Sequence, residues 1–407
     1  AMKVYIAQMN VVPGKPEENF KTMKAAVARA KKAGAEMVVF PDCAVSGNYE
    51  GLGSRNTEWS FQRACCDAEN ALQKLSKGIE ILVGCSEEFD VCMYNHYVNG
   101  NMDGWEHDFE VYSGLQQFTL EKESEVDAVC GVFAKDNRKP VIYVNAVGTE
   151  NSGKNIYALD GASRVYDANG KVAFRMEQFK AGEALVEIKN GKVKALPLNG
   201  KPAPKSAKPA ERIAQIHDAL VYMIRENLAR FHIARMVIGA SGGIDSAVSA
   251  VLYAEAIGPE NVYLVNMPTR FNSDTTKNAA RDLAKNLKTP YMVAPISDML
   301  NAVCDSLGKC EFVRSDKKIK VEGLNYENLQ ARTRSASVLL TVASVLGAGV
   351  TCNGNKSEAT AGYCTLYGDS CGVMCALGDL WKTQVYELAR YINRKKIERA
   401  QLMLLTE

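Results

Sequence analysis

Residues 238 to 246 read Ile-Gly-Ala-Ser-Gly-Gly-Ile-Asp-Ser, residue types whose order suits the chemistry of a polyphosphate. Ser241 and Ser246 supply hydroxyl donors, and Gly242 and Gly243 let the backbone approach an anion with no Cβ in the way. Asp245 would repel a phosphate unless a cation lay between them, which points to a divalent metal carried on the phosphates. The elements that must position this turn lie on either side. An apolar run from Met236 to Ala240 reads as a buried strand, and Ser246-Ala-Val-Ser-Ala-Val-Leu-Tyr starts a helix. Backbone N–H groups then point into the turn, and the helix N-terminus adds partial positive charge. The loops G-x-x-x-x-G-K-[ST] and G-x-G-x-x-G are both absent, and a lone Gly-Gly pair would serve a tight strand–helix turn equally well.

The chain has 407 residues, room for two or three domains with sizeable cores. Its 47% hydrophobic and 24% charged content is that of an ordinary globular protein. A net charge of +2 excludes a broad nucleic-acid footprint, while no apolar run is long enough to span a bilayer. The twelve cysteines include no C-x-x-C pair and the four histidines are isolated, which speaks against structural zinc. Free thiols in a reducing, cytoplasmic setting are the expectation, with neither nucleic acid nor membrane as partner.

Strand and helix signals alternate through the first half, at Val4–Gln8, Asn19–Ala33, Met37–Phe40, Ile79–Gly84 and Val141–Val147. A hairpin turns at Asn169-Gly170. Residues 1–188 form the expected first domain, and residues 189–209, rich in Lys, Pro, Ala and Gly, the expected linker. In residues 210–407, an amphipathic helix at Ala210–Ala229 precedes strands at 236–240, 262–266, 291–294 and 349–352. Helices at 246–257, 274–288, 327–347 and 379–392 alternate with them, the pattern of a parallel sheet covered on both faces with ligands at its carboxyl edge.

Ser-Gly-Gly-x-Asp-Ser resembles the pyrophosphate loop of the ATP pyrophosphatases, which adenylate a carboxyl or carbonyl oxygen. Further segments follow in order: Met267-Pro-Thr-Arg-Phe-Asn-Ser273, Tyr326-Glu-Asn-Leu-Gln-Ala-Arg-Thr-Arg334, Asn353-Gly-Asn-Lys-Ser-Glu358, Gly362-Tyr-Cys-Thr-Leu-Tyr-Gly-Asp369 and Gly378-Asp-Leu-Trp-Lys-Thr383. Together, from about Ala210 to Asn393, they resemble the NAD synthetase family. The resemblance implies a Rossmann-like parallel sheet of the adenine nucleotide alpha hydrolase type and ATP-dependent amidation of deamido-NAD. The nicotinate carboxylate would attack the α-phosphorus, releasing pyrophosphate, and ammonia would then displace AMP. Asp245 and Glu358 would be Mg²⁺ ligands, and Asp245, Glu358, Lys382 and Asp369 the catalytic set. Ser241, Gly242, Gly243, Asp245, Ser246, Met267, Arg270, Lys356 and Thr383 would hold ATP. Tyr326, Asn328, Arg332, Thr365 and Asp369 would face deamido-NAD or ammonia. Arg334 suits either a phosphate contact or a solvated salt bridge, Glu358 would also suit a helix's first turn, and Asp369 a tight turn. Asn353 departs from the threonine usual in the family. A homodimer or larger homo-oligomer is implied.

Tyr5-Ile-Ala-Gln-Met-Asn, Val38-Val-Phe-Pro-Asp42, Tyr143-Val-Asn-Ala-Val-Gly148 and Asp160-Gly-Ala-Ser-Arg-Val-Tyr-Asp167 resemble the carbon–nitrogen hydrolase (nitrilase-like) family. That family releases ammonia from glutamine with a glutamate, a lysine and a nucleophilic cysteine. Here Asp42 stands at the glutamate position, and the stretch from Gly84 to Pro140 reads as too short for the lysine and cysteine segments. Cys85 and Cys130 read as core thiols rather than nucleophiles. The expectation is a truncated, degenerate nitrilase-like α/β sandwich and an ammonia-dependent enzyme, the alternative being a working glutamine-dependent one. Other acceptors for the same loop, or a purely interacting protein, are weaker fits.

Overall fold

The computed structural model describes residues 1–48, 58–84, 95–97, 107–151, 153, 155–269 and 274–398. It divides into two compact units, Ala1–Arg212 and Ile213–Glu407.

The first unit begins with β1 (Met2–Gln8), α1 (Pro16–Lys32), β2 (Met37–Asp42), α2 (Trp59–Leu75), β3 (Glu80–Gly84), β4 (Asn95–Tyr97) and β5 (Glu110–Gly114). Then come α3 (Lys122–Val126), α4 (Val132–Asn137), β6 (Val141–Asn145), β7 (Val147–Asn151), β8 (Ile156–Asp160), β9 (Arg164–Tyr166), β10 (Val172–Arg175), β11 (Gly182–Lys189) and β12 (Lys192–Leu196). One sheet runs β12-β11-β1-β2-β3-β4 and a second β10-β9-β6-β5. Side-chain alternation makes the layers. Tyr5, Ala7, Val38 and Phe40 face one way, into a core with Met23 and Val27 of α1 and Phe61 and Leu72 of α2. Val4, Ile6, Met37 and Val39 face the other way and meet Val111, Ile142, Val144 and Val165 of the second sheet. Cys130 and Ala134 cover that sheet's far side. The first unit is thus a helix–sheet–sheet–helix α/β sandwich.

Two expectations change here. The truncation is not supported, because β5 lies within the supposedly short stretch and pairs with β6 along all five residues. The linker is also shorter than expected: β12 pairs antiparallel with β11. Its lysines, at alternate positions, are the charged fringe of an edge strand, which in composition imitates a linker.

The second unit runs α5 (Arg212–Arg230), β13 (Met236–Gly239), α6 (Ile244–Ile257), β14 (Val262–Asn266), α7 (Asp274–Leu287), β15 (Tyr291–Val293) and α8 (Ser297–Gly308). It continues with α9 (Leu324–Arg332), wider helical turns at Thr333–Leu339, α10 (Leu340–Leu346), β16 (Gly349–Cys352), α11 (Lys356–Ala361), β17 (Met374–Cys375) and α12 (Lys382–Glu398). The strands form one parallel sheet in the order β15-β14-β13-β16-β17. β13, carrying the serine–glycine turn, is central. On either side of it the chain moves outward, to β14 and then, after the crossover, to β16, so the turn sits at the topological switch point. No helix among the described residues is long and apolar enough to cross a membrane.

Buried His217 on α5 bonds Asp218 at 2.8 Å and Glu255 of α6 at 3.0 Å. Burial opposes the imidazolium, but the two carboxylate hydrogen bonds outweigh it and raise the pKa above the ordinary 6.5. The charged form's contribution is therefore fully present below about pH 6.5 and fades as pH rises through the raised folded value. The unit's melting temperature should fall across that interval, and His217→Phe should flatten the profile in scanning calorimetry.

Candidate active site

At the carboxyl edge of the second unit's parallel sheet a cavity of about 700 Å³ opens. Ser241, Asp245 and Ser246 line it, as do Met267, Asn328, Glu358, Thr365 and Asp369. The turn after β13 is held by its own side chains. Gly243 N–H donates to Ser241 Oγ at 3.2 Å, Ser246 Oγ donates to Gly243 O at 3.0 Å, and the two hydroxyls lie 3.1 Å apart. Gly242 has φ +86, a left-handed conformation that L side chains rarely adopt. The loop is thus pre-set at the N-terminus of the 14-residue α6, where an anion is favoured.

Asp245 and Glu358 are 113 residues apart in the chain yet share a neighbour, Asn355. Asn355 Nδ2 donates to Asp245 Oδ1 at 3.0 Å, and Asn355 N–H donates to Glu358 Oε2 at 3.2 Å. Lys382, entering α12, bonds the other oxygen of Asp245. Glu358 also closes a capping box on α11, so the helix-start role and the cavity position coincide in one side chain. Among the described residues no cluster of three or more His, Cys, Asp or Glu gathers as a metal site. Two carboxylates in the first turns of helices that follow neighbouring strands are nevertheless hard oxygen donors of the kind that fit Mg²⁺. The Lys382 ammonium supplies positive charge at the same carboxylate.

The residues expected on the acceptor side form one chain. Thr365 N–H donates to Asp369 Oδ1 at 2.9 Å, and Thr365 Oγ1 donates to Asn328 Oδ1 at 2.8 Å. Other expected residues lie elsewhere. Tyr326 packs against the core of the unit, and Arg332 Nε donates to Leu366 O at 3.2 Å. Lys356 lies over the Trp381 ring and 3.9 Å from Asp379, and Thr383 is exposed on the first turn of α12. Arg270 falls outside the described residues.

Three cavity residues were missed or undervalued by sequence reasoning. Arg334, on the wider helical turns, donates to Met267 O at 3.3 Å, and burial pushes its pKa down. Asn266 donates to Ala240 O at 2.6 Å and Asn353 to Gly239 O at 3.1 Å, so the end of β13 stands between two asparagines. With each amide nitrogen so fixed, both Oδ1 atoms are buried without a hydrogen-bond partner among the described residues. Such acceptors await a ligand's N–H or O–H. The only signal available beforehand was that each asparagine ends an apolar strand.

In the first unit, the ends of β2, β3 and β5 converge: a Cβ on Gly84 would stand 2.5 Å from Ser113 Cβ and 2.8 Å from Asp42 Cα. Asp42 is buried, which raises its pKa, and it accepts Cys43 N–H at 2.8 Å. Ser113 Oγ donates to Phe40 O at 3.0 Å. Cys130 is a core thiol whose pKa burial pushes up to about 12, and Cys85 lies outside the described residues. Buried Lys122 bonds Asp160, a partnership the sequence did not announce.

A parallel sheet covered by helices, with a serine–glycine turn after its central strand, defines the second unit as an α/β fold whose cavity lies at the topological switch point. The comparisons are more particular. Residues 216–400 match the NAD synthase family model. Glutamine-dependent NAD(+) synthetases of Rhodobacter capsulatus and of a Synechocystis species are each 34% identical over 265 residues, 65% of this chain. The chain spans 45% and 44% of their lengths, so it aligns with about half of each. The solved glutamine-dependent NAD+ synthetase of Acinetobacter baumannii superposes with a TM-score of 0.81 at 24% identity, over 97% of this chain and 82% of that one. That superposition extends the shared fold across both units and is the finding against a shortened first half.

Proposed function

We propose that the chain is an NAD synthetase that converts deamido-NAD to NAD through an acyl-adenylate, releasing AMP and pyrophosphate. The observation that carries it is the meeting of Asp245, Glu358 and Lys382 around Asn355, beside the Ser241–Ser246 turn, within the segment that matches the family model. The turn and the α6 N-terminus would hold the triphosphate, with Lys382 close to the developing charge. Asp245 and Glu358 would hold Mg²⁺, which would supply positive charge against the phosphates. Thr365 and Asn328 would orient the acceptor, and Asp369 would take a proton from the attacking ammonia.

For the nitrogen donor, the named relatives favour glutamine, not the free ammonia expected from sequence. Free ammonia remains a second reading on one observation: Asp42 is one methylene shorter than the glutamate of the nitrilase-like family, and the described side chain beside it at the end of β5 is a hydroxyl, Ser113. Measuring NAD formed from deamido-NAD with ammonium or with glutamine decides the donor. Ammonium should serve in either case; activity with glutamine, over an ammonia-scavenged control, would select the first reading, and its absence the second.

Asn328→Ala should raise the KM for deamido-NAD about tenfold, the effect of a lost hydrogen bond near 1.4 kcal/mol, and leave that for ATP nearly unchanged. An equal rise in both would remove Asn328 from the acceptor side. The proposal includes a homodimer or larger assembly; Leu324, Leu340 and Val345 on α9 and α10 are exposed apolar side chains. Light scattering tests that.

A further inference from the structure

β17 lies beside β16 in parallel register, with Cys375 directly opposite Cys352. Neighbouring strands stand about 4.7–4.9 Å apart, within the roughly 4.4–6.8 Å Cα separation that a disulfide spans. Gly372 permits this approach: its φ is +145, and a Cβ there would stand 2.6 Å from Cys352 N and 2.7 Å from Val350 O. Each thiol, at the paired ends of the two strands, donates to a backbone carbonyl, Cys352 to Asp369 O and Cys375 to Gly354 O. The nearby Cys375 thiol and the backbone N–H groups of Gly354 and Cys371 favour the Cys352 thiolate and pull its pKa down, while Cys375 is pushed up. Cys352 is half-buried and Cys375 exposed, so a small oxidant has access.

We propose that Cys352 and Cys375 form an oxidisable dithiol, a modification site that a hydroperoxide converts to a disulfide and a thiol reductant restores. The Cys352 thiolate attacks one peroxide oxygen, and the O–O bond breaks. A sulfenic acid forms, and the departing oxyanion takes a proton from solvent. The Cys375 sulfur then attacks the Cys352 sulfur; the S–S bond forms as the S–O bond breaks, and the hydroxide leaves with the Cys375 proton as water. Two thiols are oxidised and one hydroperoxide is reduced.

The site is placed to matter. Cys352 Sγ lies 3.2 Å from Asp369 O and Cys375 Sγ 3.1 Å from Gly354 O, and both loops wall the cavity. Linking the sulfurs would shift those contacts. Resting on the proposed activity, NAD formation by the linked protein should fall at least fivefold and return with dithiothreitol.

The test treats the full chain with hydrogen peroxide, blocks remaining thiols by alkylation, and maps unreduced peptides by mass spectrometry. One cross-link should join Cys352 to Cys375, taking the twelve thiols to ten. It should vanish with dithiothreitol, and in Cys375→Ser the Cys352 sulfur should stop at the sulfenic acid. A link involving Cys371 or Cys364 instead, or a reduced pair under conditions that oxidise exposed Cys310, would overturn the proposal. Unchanged NAD formation by the linked protein would overturn the coupling to the cavity. The mapping needs no enzymatic activity, so failure of the functional reading and failure of this one are distinguishable.

Discussion

Asp245→Asn should lower NAD formation on the order of 10²–10³-fold while the protein stays folded. The substitution keeps the shape of the side chain and its contact with Asn355, but removes the charge that faces both Lys382 and the proposed Mg²⁺ site. Side-chain exposure of 38% for Lys382 and 17% for Asp245 leaves the unpaired ammonium in reach of water, so the structural loss is small. The expected signature is a fall in kcat with a melting temperature within a few degrees of the parent. A comparable loss of activity and of stability would assign Asp245 to the fold, and full activity would remove it from the site. Glu358→Gln is the partner experiment, and an isosteric amide there keeps an oxygen for the helix cap.

Asp160→Ala should destabilise the first unit by about 3–5 kcal/mol, the cost of leaving a buried charge uncompensated. Lys122 and Asp160 are 4% and 2% exposed, and burial already depresses the lysine. Asp160 Oδ1 also accepts Asn145 Nδ2 at 3.3 Å, and its Oδ2 accepts Gln178 Nε2 at 3.1 Å, so three side chains lose a common partner. At roughly 2–4 °C per kcal/mol for a unit this size, its calorimetric transition should drop by about 6–20 °C. Lys122→Met combined with Asp160→Leu should recover most of the loss. A double variant as unstable as Asp160→Ala would show that the hydrogen bonds, not the charge pair, carry the stability.

What could be read from the chain depended on whether the chemistry was contiguous. Ser241 to Ser246 was legible because strand, turn and helix follow one another between Met236 and Ile257, and the structure forms that turn as expected. Thr365 and Asp369 were legible for the same reason, as neighbours in one short loop. Contacts made across the sheet were not. Nothing in the sequence places Asn355 between Asp245 and Glu358, or sets Asn266 and Asn353 on either side of Ala240, because those relations depend on strand order. β5 was missed because Glu110-Val-Tyr-Ser-Gly114 is short and half polar, though four of its five residues are buried. β12 was missed because the solvent-facing lysines of an edge strand look like linker charge. The ion pair of Lys122 and Asp160 joins residues 38 apart, a pairing that only the packing of α3 against β8 creates.

Whether this chain adenylates deamido-NAD at the 241–246 turn is tested most directly by following AMP and pyrophosphate from ATP with and without deamido-NAD, ammonium present throughout. The account predicts that both products appear only when deamido-NAD is added, in equal amounts to each other and to NAD, and that Asp245→Asn nearly abolishes them. ATP cleavage independent of deamido-NAD, or release of ADP and phosphate instead, would contradict it.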